Sequence, residues 1–326
     1  MNGFTRADWV MRALAVAAAL GLALAGCKPK KTVSDAGDAV TRYAKSVGEG
    51  AGKLGVRAGQ SVGLLEKKWD YVRLAYLSAE APARLRAGYG LEDEREAGRA
   101  LAVEFFGRYG RHQNAHLDQY LNLVLATLCA FSERPALPCS AAVLATEEVR
   151  TFALPGGYVL VTLGSLRLAQ SESEVAGALA LALAHSQLRH PLALLERLQE
   201  NAAPAEATQP VTRAAPEEFS RMVEEAARRL IQRGFASEEV RAASREATTM
   251  LVRLGYEPGG LKALLARTQV RIQERPEVLP AVDLSFFKTA EQAVQERLTE
   301  LHAPESGRSL GDRYRRECVA QLPAPR

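Results

Sequence analysis

From Glu172 to His190 the chain reads ESEVAGALALALAHSQLRH, and no polar face can be drawn on the helix it encodes. Ser171 and Glu174 make the S-x-x-E pattern of a capping box, which sets the helix start, and the apolar run predicts that it continues to about Leu188. Residues 175–184 are Val, Ala, Gly and Leu only. A helix apolar on every side belongs at the centre of a domain. At its end stands His185, one of only five histidines in 326 residues.

The flanking segments supply what such a helix would pack against. Ala97, Leu101 and Phe105 recur at four-residue spacing and mark one helical face. Leu117, Tyr120, Leu121, Val124, Leu125 and Leu128 fall at i, i+3, i+4, i+7, i+8 and i+11, an amphipathic helix. AAVLAT and GYVLVTL are short strand candidates, and TFALPGG between them reads as a sharp turn. Later helices are expected in FSRMVEEAARRLIQ, SEEVRAASREATTMLVRL (stopped by GYEPGG), GLKALLART and TAEQAVQERLTEL. A mobile insertion is expected near 200–217, where Ala and Pro crowd. The sum is an α+β domain over residues 91–318, mostly helical with a small sheet, followed by a disordered tail at 319–326. At 47% hydrophobic the chain can bury one substantial core, or a core and a smaller appendage.

The N-terminus points to the envelope of a bacterial cell. Arg6 and Arg12 precede the apolar run ALAVAAALGLALAG, and Cys27 follows. About fourteen apolar residues are too few for a span, which needs roughly 20. A basic start, a short apolar run and small residues describe a secretory signal over residues 1–26. LAGC resembles a bacterial lipobox, which implies lipid on Cys27 and a stable membrane anchor. Residues 27–90 are read as a lipidated tether and helical stalk. Lys28, in place of an Asp, leans toward the periplasmic face of the outer membrane. That compartment permits disulfides. Cys129 and Cys139 flank a turn-rich connection and can close a small loop or remain two buried thiols, with Cys318 left over. The net charge of +4 comes without a basic patch interleaved with aromatics, so nucleic acid is not an expected partner.

FALPGGYVLVTLGSLRLAQSESEVAGALALALAHSQLRH resembles a stretch of the membrane-associated zinc metallopeptidases of the zincin fold, peptidase family M48. That family includes periplasmic lipoprotein proteases and CAAX prenyl proteases. Its pattern is N-A-F-A-x-P-G-G followed by an acidic helix start and H-E-x-x-H, and the likeness runs on through FASEEVRAASREATTMLVRLGYEP. The resemblance covers about residues 89–258 and implies a zincin-like fold with zinc as the family's metal. An H-E-x-x-H helix works because residues i and i+4 share a face, so two imidazoles grip one Zn²⁺ while the Glu polarises bound water.

Placed residue by residue, the pattern is degenerate. The second histidine of the motif is His185, but the first falls on Leu181 and the Glu on Ala182. The third ligand, a Glu on a following helix, falls on Ala242, the Asp after it on Ser244, and the opening Asn on Arg150. His185 is thus the one remnant ligand, and no bound metal or other cofactor is expected. Glu238 and Glu246 lie one turn either side of Ala242, each displaced by about 6 Å along the axis. His112 and His116 share an i, i+4 spacing in a polar helix start, His190 at i+5 from His185 points off its face as a structural donor, and His302 is a loop residue.

These readings predict a catalytically inactive peptidase-family domain serving as a binding, adaptor or regulatory module in envelope protein quality control. One surviving surface is expected around Pro155, Gly156, Gly157, Tyr158 and Val159, where an open strand edge could hold unfolded or extended polypeptide or other envelope proteins. The alternatives are an active zinc metalloendopeptidase with shifted ligands, and a structural lipoprotein whose stalk is what matters.

Overall fold

The computed structural model describes residues 90–202, 212, 216–275, 284–304 and 306–324. The expectations for the signal segment, Cys27 and the stalk lie outside them, as does most of the 200–217 insertion. Among the described residues no helix is long and apolar enough to cross a membrane.

In chain order the elements are α1 (Leu91–Tyr109), β1 (Arg111–His112), α2 (Ala115–Ala130), β2 (Ser140–Leu144), β3 (Thr151–Ala153), a 3₁₀ turn (Pro155–Gly157), β4 (Tyr158–Thr162), α3 (Leu163–Leu168) and α4 (Glu172–Gln187). Then follow α5 (His190–Ala202), α6 (Pro216–Gln232), α7 (Ser237–Arg253), α8 (Gly260–Glu274), α9 (Ser285–Glu300), α10 (Gly311–Glu317) and a 3₁₀ turn at Val319–Gln321. The protein is α+β, with four short strands in the order β1-β2-β4-β3. β2 and β4 run parallel, while β1 and β3 are antiparallel to their neighbours.

Strand alternation divides the core in two. Ala141, Val143, Val159, Val161 and Ala153 point to the face packed by α2, α4, α7 and α8. Leu144, Leu160 and Phe152 point to the other, against Leu101 and Phe105 of α1 and Leu195 and Leu230 of α5 and α6. Each such side chain contributes about 1.5–3 kcal/mol when fully buried.

α4 is where the sequence pattern places it, with every residue buried except the half-buried Ala178. Ser171 Oγ accepts from Glu174 N–H at 3.3 Å, but the Glu174 carboxylate reaches Gln170 N–H at 2.8 Å, so the box closes one residue early. Gly177 lets α8 cross closely, because a Cβ there would lie 2.9 Å from Leu261 Cα. At the N-terminus of α4 the carboxylate of Glu172, fully buried, accepts from Tyr120 Oη at 2.9 Å and Tyr256 Oη at 2.8 Å and pairs with the Arg313 guanidinium. That clamp ties α10 to the centre of the fold.

Two expectations change here. TFALPGG is not one turn: Thr151–Ala153 is a strand, since Thr and Phe suit a pleated, half-buried surface. The tail is ordered through Ala324, because Asn114 Nδ2 donates to Gln321 C=O at 3.2 Å and Arg167 donates to Pro323 C=O at 2.6 Å.

Candidate functional site

Leu181, Ala182 and His185 share one face of α4 and form one wall of a cavity of ≈ 180 Å³. β3 forms a second wall, Leu261, Leu264 and Leu265 of α8 a third, and Phe235, Phe286 and Phe287 close it. His185 is 3% exposed. Phe235, from the turn between α6 and α7, stacks on its imidazole with centroids 4.0 Å apart and 17° between planes. Burial first, and the neighbouring His190 second, push the His185 pKa well below its ordinary value, so the ring is neutral.

His190 does not point away. α4 ends at Gln187, Arg189 takes a left-handed φ of 63°, and the chain doubles back so that His190 Nδ1 lies 2.9 Å from His185 Nδ1. Burial also lowers the His190 pKa, with Glu239 acting against it. One proton is therefore shared between two neutral rings, and His185 Nε2 has no hydrogen-bond partner among the described residues.

The placement of a third ligand position on Ala242 is corrected. α7 turns Val240, Ala243, Ser244 and Ala247 inward, whereas Ala242 is exposed and lines a separate depression with Glu133, Arg245 and Glu246. The inward position one turn before Ser244 is Val240, 1% exposed. Glu246 shares the Ala242 depression with Glu238, so neither carboxylate reaches the cavity wall that holds His185. Ser244 is fully buried, and its Oγ has no hydrogen-bond partner among the described residues.

The strand-edge expectation also moves. β4 pairs with β2 on one side and β3 on the other, so Tyr158 and Val159 offer no edge. Pro155, Gly156 and Gly157 are buried, with Gly156 at φ 70° and Gly157 at φ 82°, and Ser186 Oγ accepts from Gly157 N–H at 3.0 Å and donates to Leu154 C=O at 2.7 Å. The outer strand is β3. Thr162 N–H donates to Arg150 C=O and Leu154 N–H to Tyr158 C=O, so the alternation of an antiparallel pair turns the N–H and C=O of Thr151 and Ala153 outward, beside the cavity. Arg150, pinned to Ile231 C=O at the end of α6, marks where that edge begins.

The remaining candidates separate. His116 Nε2 lies 3.0 Å from Glu317 Oε2 on the surface, His112 sits in β1, and His302 Nδ1 bonds Thr299 C=O. Cys129 and Cys139 form a disulfide, while Cys318 is a buried free thiol whose pKa burial pushes up to about 12. Sequence reasoning missed Phe235 and Val240. The signal for Phe235 was a lone aromatic between two helices; that for Val240 was an inward register on α7.

The zinc that the resemblance implies needs about three side-chain donors around one point. Beside His185 on the cavity wall stand the hydrocarbons of Leu181 and Ala182, the buried position of α7 one turn before Ser244 is the hydrocarbon Val240, and His190 is turned into its own contact with His185. Among the described residues no three His, Cys, Asp or Glu side chains converge. These residues do not fit a zinc ion. A model of peptidase family M48 matches residues 115–270, from α2 into α8, so it starts and ends about one helix later than the resemblance read from the sequence. Among curated proteins none matches the chain.

Proposed function

Since the chain belongs to peptidase family M48 through residues 115–270, we propose that it is a pseudopeptidase of the bacterial cell envelope, a member whose domain binds polypeptide without cutting it. It is anchored by lipid on Cys27, at the periplasmic face of the outer membrane. It acts there as an adaptor or regulatory module in envelope protein quality control. The observation that carries this reading is the α4 wall, where Leu181 and Ala182 flank His185 and Phe235 covers the imidazole. Family chemistry needs a metal-bound water and a carboxylate to take its proton; neither side chain here supplies an oxygen or nitrogen. What the family scaffold still offers is the outward backbone of Thr151 and Ala153, suited to pairing with an extended segment.

Metal analysis with a protease assay tests it. Purified chain is expected to hold far less than one zinc per molecule and to leave casein intact. Stoichiometric zinc, with casein cleavage abolished by a chelator, overturns it.

A further inference from the structure

The cavity beside His185 has a polar point that nothing in the fold uses. Two lining hydroxyls are turned away: Ser165 Oγ donates to Arg150 C=O at 2.8 Å and Thr268 Oγ1 to Leu264 C=O at 2.8 Å. His185 Nε2 is buried without a hydrogen-bond partner among the described residues, on a ring 3% exposed that lines the cavity. A buried nitrogen left unmet keeps the cost of its lost hydration. A ligand that meets it recovers that cost.

We propose that the cavity binds a phenol ring, with its hydroxyl hydrogen-bonded to His185 Nε2. Three observations select this chemistry. Size is the first: an apolar cavity of about 150 Å³ holds benzene, and ≈ 180 Å³ leaves room for one substituent more. Shape and lining are the second, since Phe235, Phe286 and Phe287 present ring edges and faces suited to an aromatic guest. The third is the shared proton. Either Nδ1 of the His185–His190 pair can hold it, which leaves His185 Nε2 a bare acceptor or an N–H donor. A hydroxyl both donates and accepts, so it satisfies Nε2 in both cases. An ammonium would enter this lining without a carboxylate to meet it. Arg233 and Gly234, both exposed, line the cavity and mark where it meets the surface.

Two sources carry this chemistry: a free small phenol, or the tyrosine side chain of an extended polypeptide on β3. The second rests on the polypeptide-holding reading above.

Calorimetric titration of the full chain with p-cresol, 4-methylanisole and toluene tests the proposal without any substitution. The p-cresol is expected to bind about 3–10-fold tighter than the other two, the ratio set by one net hydrogen bond. In His185→Phe the three are expected to bind alike, and in Ala182→Phe, which fills the cavity, none should bind. Toluene binding as tightly as p-cresol in the unmodified chain overturns the proposal, as does binding by neither. Competition by two extended peptides, identical but for Tyr or Phe, separates the sources. If the Tyr peptide displaces p-cresol about 3–10-fold better than the Phe peptide, tyrosine is the guest. If p-cresol binds and neither peptide binds, the phenol site stands as a small-molecule site and the polypeptide-holding reading falls. If both peptides bind equally and p-cresol is not preferred over toluene, the phenol assignment falls while the edge reading stands.

Discussion

The ring of Phe235 lies 4.0 Å from that of His185 and within 17° of parallel, so the imidazole is covered by a phenyl group. Phe235→Ala therefore uncovers the imidazole. Because Phe235 is half-buried, the loss of stability should be about 2–3 kcal/mol, below the ~3–5 of a fully buried Phe→Ala. Water reaching the ring should raise the His185 pKa toward its ordinary value. Thermal unfolding and an NMR titration of the imidazole check both; an unchanged pKa would show that Phe235 is not what keeps His185 dry.

The register of α7 predicts which substitutions can rebuild a metal site. Leu181→His with Ala182→Glu and Val240→Glu places donors on inward positions, whereas the same pair with Ala242→Glu puts its carboxylate on the solvent side. The first triple variant should take up about one zinc per chain by metal analysis, and the second much less. Equal uptake would mean that the inward face of α7 has been misassigned.

Stability should fall on acidification through the histidine range. His185 and His190 both have folded pKa values below their unfolded ones, so the unfolded state binds more protons as pH drops under about 6.5. Stability is complete above that pH and is lost below it, at up to about 1.4 kcal/mol per pH unit for each ring. The carboxylates Glu225, Glu300 and Glu317 have lowered values and lose their contribution only below the ordinary carboxylate range, so pH 6.5 to 5 isolates the histidines. Denaturant titrations across that window should slope, and His185→Phe should flatten the slope.

Glu172 should be among the most sensitive positions in the fold. Glu172→Ala leaves two buried tyrosine hydroxyls without their acceptor and removes the carboxylate that pairs with the half-buried Arg313, at a cost of about 3–5 kcal/mol. Hydrogen exchange should then speed up along α10 more than in β2 or β4. Uniform loss of protection would indicate a general core defect rather than release of the C-terminal segment.

Cys27→Ser should remove the proposed anchor. The chain is expected to lose palmitate labelling and to move from the membrane pellet to the soluble fraction; retention in the pellet without label would assign attachment to another segment.

The parts of the fold written in long periodic runs were legible. The six-position stripe on α2 is the buried face of that helix, and the absence of polarity on α4 is burial on all sides. Short and three-dimensional features were not. β3 has three residues, too few for alternation to show, and its Pro-Gly-Gly sequel dominates the local pattern. Counting His190 along a continuous helix fails because the left-handed Arg189 breaks the count and returns the ring to His185. Motif spacing alone puts a ligand position at Ala242, and only the orientation of α7 against α4 shows that its side chain faces away.

The sealing of α4 on every side makes polar groups hard to introduce at its centre one at a time. Ala182→Glu alone would bury a carboxylate with no metal to meet it, and Leu181→His alone would set an imidazole into hydrocarbon, so each substitution by itself costs stability. Such a helix works as a ratchet: a centre made of oil admits polar groups only as a complete, mutually satisfied set.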